Sequence, residues 1–329
     1  MAAHSFTSRS TVACLVCGSR RLGLLYEGVR DHYGVVTEPY RFLKCAECGS
    51  ATLDPMPTPE AIPRLYPPDY TFKTKDSRTS LPQRLLHALE WRAFYRPLYL
   101  QRLGIFRRLT GLGSGRILEV GCGSGLFLQE LALAGYDVEG VDISATDVTY
   151  ARERLGLRAF EGAVQDLPIE ENRYDAVLLM SVLEHIPAPL DAARRVLRVL
   201  KPGGWIVLAL PVIDSWQSRL LKARWCAITE APRHLMVPSA EGVRRLLAAA
   251  GYRDFRSAPD SLIDNAGDIV LSLLPGVSTP RTYGRSATPA LLFRRWAGAL
   301  LVLPALLLAC AERLPRQAQS GCMIFCARK

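Results

Sequence analysis

The sequence predicts an α/β protein in which a mainly parallel sheet is covered by helices on both faces. Three observations support this prediction. Short apolar segments of strand length alternate with helical stretches between residues 116 and 257. A glycine-rich turn follows the first of these strands, and two Cys-x-x-Cys pairs mark a small separate unit within the first fifty residues. With 329 residues, the chain is long enough for about two domains.

The composition excludes a disordered chain, because 49% of the residues are hydrophobic and only 22% are charged. The net charge of +10 suits an anionic partner such as a phosphate, a nucleic acid or a membrane surface, and it does not choose among them. Residues 1–13 contain no apolar segment of the kind found in secretory signals. We therefore expect a cytoplasmic protein in a reducing compartment.

The two cysteine pairs are Cys14 with Cys17 and Cys45 with Cys48, and each pair is followed by a glycine. Two such knuckles can present four thiolates to one zinc ion. Disulfides or free thiols are the alternative, although the odd total of nine cysteines excludes complete internal pairing. Because four cysteines close the coordination shell, we expect a structural zinc ion in a ribbon over residues 1–60.

Residues 61–110 predict a connection with two parts. Prolines are dense over residues 51–70, which favours an extended strap packed on a domain. Residues 81–110 have a helical pattern in which six arginines and several aromatic residues accompany a single acid. We expect Pro97 to kink or split this helix.

Strands and helices then alternate through the remaining chain. The predicted strands cover 116–120, 137–142, 157–160, 174–180, 205–210, 252–257 and 322–327. The predicted helices follow the glycine turn as far as Ala134, begin after a Ser144 cap, and cover 189–200 and 239–250. The interval 258–319 is too long for a simple connection and indicates an inserted segment.

The glycine turn, Gly121-Cys122-Gly123-Ser124-Gly125, predicts a ligand-binding loop, because glycines allow close approach of the backbone and the following helix offers free N–H groups. Asp142 ends the next strand, where a carboxylate can accept hydrogen bonds from both hydroxyls of a ribose. The G-x-G-x-G spacing has Leu126 where a dinucleotide loop has its third glycine, and it lacks the Gly-Lys-Ser/Thr of a Walker loop. A tight turn without a ligand stays open, and we expect Cys122 to be only a small loop residue.

This loop resembles motif I of class I S-adenosylmethionine (SAM) methyltransferases, and similar motifs follow in order. They are Asp166-Leu167-Pro168, Tyr174-Asp175-Ala176-Val177, Ser181–Ile186 and Leu200–Gly204. Residues 14–70 resemble the zinc ribbon that precedes many bacterial methyltransferases of saccharide and natural-product pathways. The resemblance implies a Rossmann-like seven-stranded sheet over residues 111–329, an antiparallel final strand and SAM-dependent methyl transfer.

The resemblance also implies roles at a cofactor site. Four residues would surround the methionine part of SAM: Glu119, Gly121, Gly123 and Gly125. Asp142 would hold the ribose, and Ile143 would lie beside the adenine. Asp166 would face the adenine amino group, with Leu167 packing nearby.

Two histidines lie where an acceptor would bind, beyond the carboxyl ends of the strands. His185 follows the fourth strand, and His234 lies in a segment similar to a proline–histidine–leucine element near the acceptor pocket of the family. Each can act as a base toward an oxygen or nitrogen acceptor or be held structurally by hydrogen bonds. Glu184 can instead cap or orient the backbone. We expect a small-molecule acceptor, such as a nucleotide- or lipid-linked sugar or a natural-product intermediate.

Two other functions stay open. The net charge and the arginine-rich residues 81–110 favour an RNA methyltransferase, and one rRNA guanine methyltransferase family also has an N-terminal zinc site. That family has a Cys-x-x-x-His pair where this chain has Cys45-x-x-Cys48. The second alternative is a non-catalytic module that binds SAM or presents the zinc ribbon to a partner.

The inserted segment contains an apolar run from Ala297 to Ala311, interrupted by Pro304. Its 15 residues are fewer than the ~20 that span a bilayer. A buried helical cap, an interfacial helix and a transmembrane span are all open. Because arginines and a tryptophan flank the run, residues 290–313 are a candidate for peripheral contact with the inner face of a membrane.

Overall fold

The computed structural model describes residues 13–58, 60–66, 85, 88–167, 170–275, 289–313 and 319–329. The strands are β1 (Leu22–Val29), β2 (Tyr40–Cys45), β3 (Ala51–Asp54), β4 (Arg116–Val120), β5 (Asp137–Asp142), β6 (Ala159–Glu161), β7 (Tyr174–Met180), β8 (Leu200–Pro211), β9 (Met236–Val237), β10 (Arg253–Pro259) and β11 (Cys322–Arg328). The α-helices are α1 (Arg96–Thr110), α2 (Leu126–Leu133), α3 (Ala145–Leu155), α4 (Pro189–Val199), α5 (Trp216–Leu221), α6 (Cys226–Thr229), α7 (Ala240–Ala250), α8 (Leu262–Leu273) and α9 (Pro289–Ala311).

The larger sheet has seven strands in the order β10-β11-β8-β7-β4-β5-β6. Strand β11 is antiparallel to both of its neighbours, whereas β8, β7, β4, β5 and β6 are parallel. Adjacent residues of β7 enter different cores, because side chains alternate along a strand: Val177 packs on the face of α4 and α7, and Leu178 packs on the face of α1 and α2. The predicted Rossmann-like seven-stranded sheet with an antiparallel final strand is confirmed.

Helix α1 packs as part of this core. A π-helical turn, Trp91–Tyr95, runs directly into α1, because Tyr95 and Arg96 both have helical backbone angles. The Arg96 N–H donates to the Trp91 carbonyl five residues back, so the helix changes its hydrogen-bond pattern just before Pro97, which has no N–H to donate. Leu103 and Phe106 pack with Ile117 of β4. The predicted boundary at residue 110 therefore separates a helix and a strand that share one core. Residues 81–84, 86 and 87 of the predicted helix, and 67–84 of the strap, lie outside the described residues.

The smaller sheet joins the N-terminal ribbon to the larger unit. Strands β1, β2 and β3 are antiparallel, and β9 adds a fourth strand beside β3 through the pairs Ala51–Val237 and Thr52–Met236. Phe42 and Leu53 of the ribbon are buried against Trp225. The segments on either side of the predicted boundary at residue 60 therefore share one sheet and one hydrophobic cluster.

Helices α8 and α9 form the described part of the inserted segment. Ala305 and Ala309 of α9 pack against Ala266 and Ile269 of α8. The opposite face of α9 exposes leucines. Among the described helices, none combines the length and the hydropathy that a membrane span requires. The connection 276–288 lies outside the described residues.

Candidate functional site

The predicted cofactor residues lie at the carboxyl edge of the parallel strands. Strand β4 is flanked by β5 on one side and by β7 on the other. The chain leaves β4 toward β5 and leaves β7 toward β8 on the other side, which opens a crevice between β4 and β7 at the carboxyl edge. Glu119 lies at the end of β4, Asp142 ends β5, and His185 follows β7. The structure therefore brings the predicted cofactor and acceptor residues to one edge of the sheet.

The glycine loop has a backbone and surroundings that exclude side chains. The φ angles of Gly121, Gly123 and Gly125 are +71°, +52° and +79°, in the left-handed region that L-residues rarely adopt. A Cβ atom at Gly121 would lie 2.3 Å from Val182 Cγ2. This contact places the segment after β7 directly against the loop after β4.

Asp142 is oriented by the backbone. The Gly123 N–H donates to Asp142 Oδ2 at 2.7 Å, and the Ser144 N–H donates to Oδ1 at 2.8 Å. Burial raises the pKa of Asp142, and these two hydrogen bonds oppose the rise. Each oxygen retains a lone pair for a further donor. Ser144 also caps α3 as predicted, because its side chain accepts the Asp147 N–H.

The carboxylate of Glu119 is buried and incompletely hydrogen-bonded among the described residues. Its side chain is buried, and Oε2 has no hydrogen-bond partner among the described residues. Burial raises the pKa of Glu119 to about 8. A cationic donor placed at this carboxylate would offset the desolvation of its ionised form.

The predicted adenine residues lie at the next positions along the edge. Ile143 is 52% exposed, so its side chain offers an apolar surface beside Asp142. Asp166 ends a 3-10 turn, and its carboxylate accepts the Ala163 N–H at 3.1 Å, while Leu167 is buried. Pro168 of this motif lies outside the described residues.

His185 and His234 face each other, with ring centroids 4.8 Å apart. His234 Nδ1 lies 2.7 Å from the Ala227 carbonyl, and His185 Nδ1 lies 3.0 Å from the Arg233 carbonyl. Because a carbonyl oxygen can only accept, both protons are assigned to Nδ1. Each ring therefore keeps the lone pair of Nε2 for another partner.

The surroundings of this pair disfavour charge on the rings. Burial, followed by the neighbouring His234, lowers the pKa of His185 to about 3, and burial also lowers the pKa of His234. Glu184 is fully buried, and neither of its carboxylate oxygens has a hydrogen-bond partner among the described residues. Burial raises the pKa of Glu184 to about 8. The predicted role of Glu184 as a side-chain cap finds no contact in the described part of the chain.

Residues of the ribbon hold the histidine segment in place. Arg233 pairs with Asp31 at 2.6 Å, and both side chains are completely buried. The Arg233 guanidinium lies 4.2 Å from the centre of the Tyr33 ring, and Tyr66 Oη lies 3.1 Å from His185 Nδ1. Sequence reasoning missed these roles, because Asp31 and Arg233 are 202 positions apart and no local pattern links them.

The four ribbon cysteines converge. Cys14 Sγ and Cys48 Sγ lie 3.5 Å apart, and Cys17 Sγ and Cys45 Sγ lie 3.6 Å apart. These distances exceed the ~2.05 Å of a disulfide. Four Zn–S bonds of ~2.3 Å in a tetrahedron place neighbouring sulfurs ~3.8 Å apart, so the cluster has the size of a zinc site.

The family of the chain follows from comparison with known proteins. A sequence model described as a methyltransferase domain matches residues 91–256, about half of the chain. The chain belongs to this methyltransferase-domain family. Its expected identity as a class I SAM-dependent methyltransferase domain is thereby confirmed.

Individual relatives match shorter parts. The ubiquinone biosynthesis O-methyltransferase of Bordetella bronchiseptica is 36% identical over 116 residues, which are 32% of this chain and 46% of that protein. The protein of the same name from Xanthomonas campestris is 36% identical over 186 residues, or 53% of this chain and 66% of that one. The chain thus spans about half the length of the first curated relatives it matches. A SAM-dependent methyltransferase structure from Thermotoga maritima has a TM-score of 0.48 at 18% identity and covers 75% of this chain and 97% of its own.

Proposed function

We propose that this chain transfers a methyl group from SAM to a small-molecule acceptor, with an oxygen nucleophile favoured by the names of the relatives. One observation carries the proposal. The carboxylates of Glu119 and Asp142 flank the glycine loop: Glu119 Oε2 is buried without a hydrogen-bond partner among the described residues, and Asp142 is anchored by two backbone N–H groups. His185, which follows the neighbouring strand, faces His234.

The chemistry of these residues fits SAM. The ammonium group of its methionine part would give Glu119 the cationic partner it lacks among the described residues. Asp142 would accept the ribose hydroxyls, Ile143 would cover the adenine and Asp166 would face its amino group, with Leu167 beside it. Bound SAM supplies a methyl group on a positively charged sulfur for in-line transfer, so the protein mainly positions and desolvates the reacting groups.

The acceptor side would be formed by His185 and His234, which face each other at the carboxyl edge of the sheet. Tyr66 supports this arrangement, because its Oη lies 3.1 Å from His185 Nδ1 and burial raises the pKa of its hydroxyl group. A linked sugar or a natural-product intermediate is the class of acceptor we propose.

One contact of the basic helix weighs against RNA as the acceptor. In α1, Arg102 is buried against Asp260 and does not present its charge to solvent, as a phosphate-binding stripe requires. Arg96 pairs with Glu130 and Arg107 donates to Tyr136 Oη, but both side chains stay exposed, as do Arg92 and Arg108. These exposed arginines keep RNA as the second candidate acceptor.

We also propose that Cys14, Cys17, Cys45 and Cys48 hold one structural zinc ion. Their distances support this proposal, and all four positions of a tetrahedral ion would be filled by sulfur. The zinc would stabilise the ribbon that carries Asp31 and leave no open position for chemistry.

Calorimetric titration tests the cofactor assignment. Asp142→Ala should weaken SAM binding by about 1.5–3 kcal/mol, because hydrogen bonds to a charged group are lost. Asp137→Ala, at the opposite end of the same strand, is the matched control and should bind SAM like the wild type. Binding of NAD together with no binding of SAM or S-adenosylhomocysteine would contradict the assignment.

A further inference from the structure

Two buried side chains, Glu184 and His234, and the half-buried His185 form a cluster of potential metal ligands. Glu184, His185 and His234 each offer one ligand atom, and these three atoms lie within 4.8 Å of one another. We propose that this cluster binds a divalent transition-metal ion, separate from the zinc of the cysteine quartet. Metal binding by this cluster does not depend on the methyltransferase function proposed above. The role of the metal ion at the acceptor does rest on that function.

The histidines are arranged as metal ligands usually are. Metal-binding imidazoles commonly donate one ring N–H to a carbonyl or carboxylate, which fixes the other nitrogen toward the ion. His185 donates from Nδ1 to the Arg233 carbonyl, and His234 donates from Nδ1 to the Ala227 carbonyl. Both Nε2 lone pairs are thereby oriented by the backbone.

Glu184 supplies the independent observation that points to a ligand. Its side chain is fully buried, and both carboxylate oxygens lack a hydrogen-bond partner among the described residues. A buried polar group without a partner is costly, and a buried carboxylate is usually paired or bound to metal. A cation between Glu184 and the two rings would satisfy the carboxylate and both nitrogens.

The surrounding charges favour a cation. Glu230 lies 3.4 Å from Arg233, and Asp31 lies 2.6 Å from the same guanidinium. Together with Glu184, the carboxylates around the histidines thus outnumber the arginine. A second potential cluster, Asp260, Asp264 and Cys322, differs in this respect, because Arg102 already lies 2.6 Å and 3.2 Å from its two carboxylates.

The donor set indicates the class of metal. Two imidazole nitrogens and one carboxylate suit Zn²⁺, Mn²⁺ or Fe²⁺ better than Mg²⁺, which prefers oxygen ligands. Three protein ligands leave coordination positions for an acceptor oxygen. A coordinated acceptor hydroxyl would lose its proton to water more readily, and its oxygen would form the new C–O bond as the C–S bond breaks and its electron pair stays on sulfur.

Manganese is the probe that separates the two sites, because the thiolate quartet prefers zinc whereas a nitrogen and oxygen site accepts Mn²⁺. Full-length protein that retains one zinc ion per chain, after a weak chelator has removed any further metal, is titrated with Mn²⁺, and the free-ion EPR signal measures uptake. We expect one Mn²⁺ per chain. Glu184→Gln and His234→Ala should each weaken Mn²⁺ binding by about tenfold or more while SAM affinity is retained. His32→Gln, a ribbon histidine bound to Thr229, is the control and should bind Mn²⁺ like the wild type.

Pulsed EPR of the wild-type complex gives a second measurement that needs no variant, because imidazole ligands produce nitrogen couplings on bound Mn²⁺. Absence of Mn²⁺ uptake, absence of nitrogen couplings, or equal uptake by Glu184→Gln would overturn the proposal. Mn²⁺ uptake with the expected variant effects but without SAM binding would leave the metal site standing and refute the proposed methyl transfer.

Discussion

Glu119 and Asp142 end neighbouring strands, yet their surroundings treat their carboxylates differently. Asp142 receives two backbone N–H groups, whereas Glu119 Oε2 is buried without a partner among the described residues. The difference fits the proposed ligand SAM. Its ribose hydroxyls would donate to the Asp142 carboxylate, which the backbone holds in place, and its ammonium group would balance the charge of the Glu119 carboxylate. A neutral ligand group at Glu119 would not balance the buried negative charge of the ionised carboxylate.

The raised pKa of Glu119 predicts a pH-dependent stability. Between an unfolded pKa of ~4.3 and the folded pKa of about 8, the folded chain keeps a proton that the unfolded chain has lost. The free energy of unfolding therefore falls with rising pH in this window, by at most about 1.4 kcal/mol per pH unit from this group. Glu119→Gln removes this titration. In denaturant titrations without ligand, the free energy of unfolding of the variant minus that of the wild type should therefore grow from about pH 5 to pH 8. An equal difference at both pH values contradicts the proposed environment, and SAM binding by the variant should be weaker.

At this scale, local sequence indicates the proposed cofactor residues more readily than the contacts around the proposed acceptor side. The glycines and Asp142 lie next to strand ends, so spacing along the chain was enough to predict their position at the edge of the sheet. The contacts of Tyr66, Asp31 and Arg233 form only when the ribbon meets the segment before β9. Because such pairs are distant in sequence, no periodicity or motif predicts them.

At the scale of elements, the ribbon and the catalytic sheet are physically coupled. The two-residue strand β9 extends the ribbon sheet, and Asp31 fixes the guanidinium of Arg233, whose carbonyl accepts from His185. The strands of the larger sheet were predictable from their apolar runs: β4, β5 and β7 have the predicted bounds, β6, β10 and β11 differ by one or two residues at an end, and β8 begins five residues earlier than predicted. Strand β9 was not, because two residues carry no alternation pattern and pair only through tertiary packing.

The ribbon therefore predicts a selective effect of losing zinc. Cys45→Ser should release the zinc and loosen the ribbon, while the glycine loop and Asp142 keep their own core and their affinity for SAM. Elemental analysis should show zinc loss, limited proteolysis should cut first in residues 13–58, and calorimetry should show unchanged SAM affinity. Cys310→Ser, at an exposed cysteine outside the quartet, is the control. Full zinc retention by Cys45→Ser, or no zinc in the wild type, would refute the quartet.

For the whole molecule, α9 leaves an apolar face in contact with solvent. Its alanines pack on α8, whereas Leu300, Leu303 and Leu307 are 71%, 66% and 65% exposed. Their spacing places them on one side of the helix. The sequence left a buried cap, an interfacial helix and a transmembrane span open. None of the described helices is long and apolar enough to span a membrane, and α9 has one face covered by α8, as a cap would, and one apolar face in solvent, as an interfacial helix would.

Membrane contact through 290–313 stays a prediction, and this face gives it a test. We expect the protein to float with anionic liposomes at low salt, because exposed leucines can enter the interface and a net charge of +10 favours anionic headgroups. The double substitution Leu303→Ser and Leu307→Ser should abolish flotation without changing SAM binding. Leu133→Ser, equally exposed on α2, is the control. Flotation that survives the double substitution would place the contact elsewhere.

Methyl transfer to a small molecule can be followed with methyl-labelled SAM. The protein is incubated with the labelled cofactor and a cell extract separated into small molecules and RNA, and the label is then followed by mass spectrometry. We expect label in a small-molecule product, formation of S-adenosylhomocysteine, and loss of both with Asp142→Ala but not with Asp137→Ala. Label confined to RNA, or SAM binding without any transfer, would contradict the proposed function.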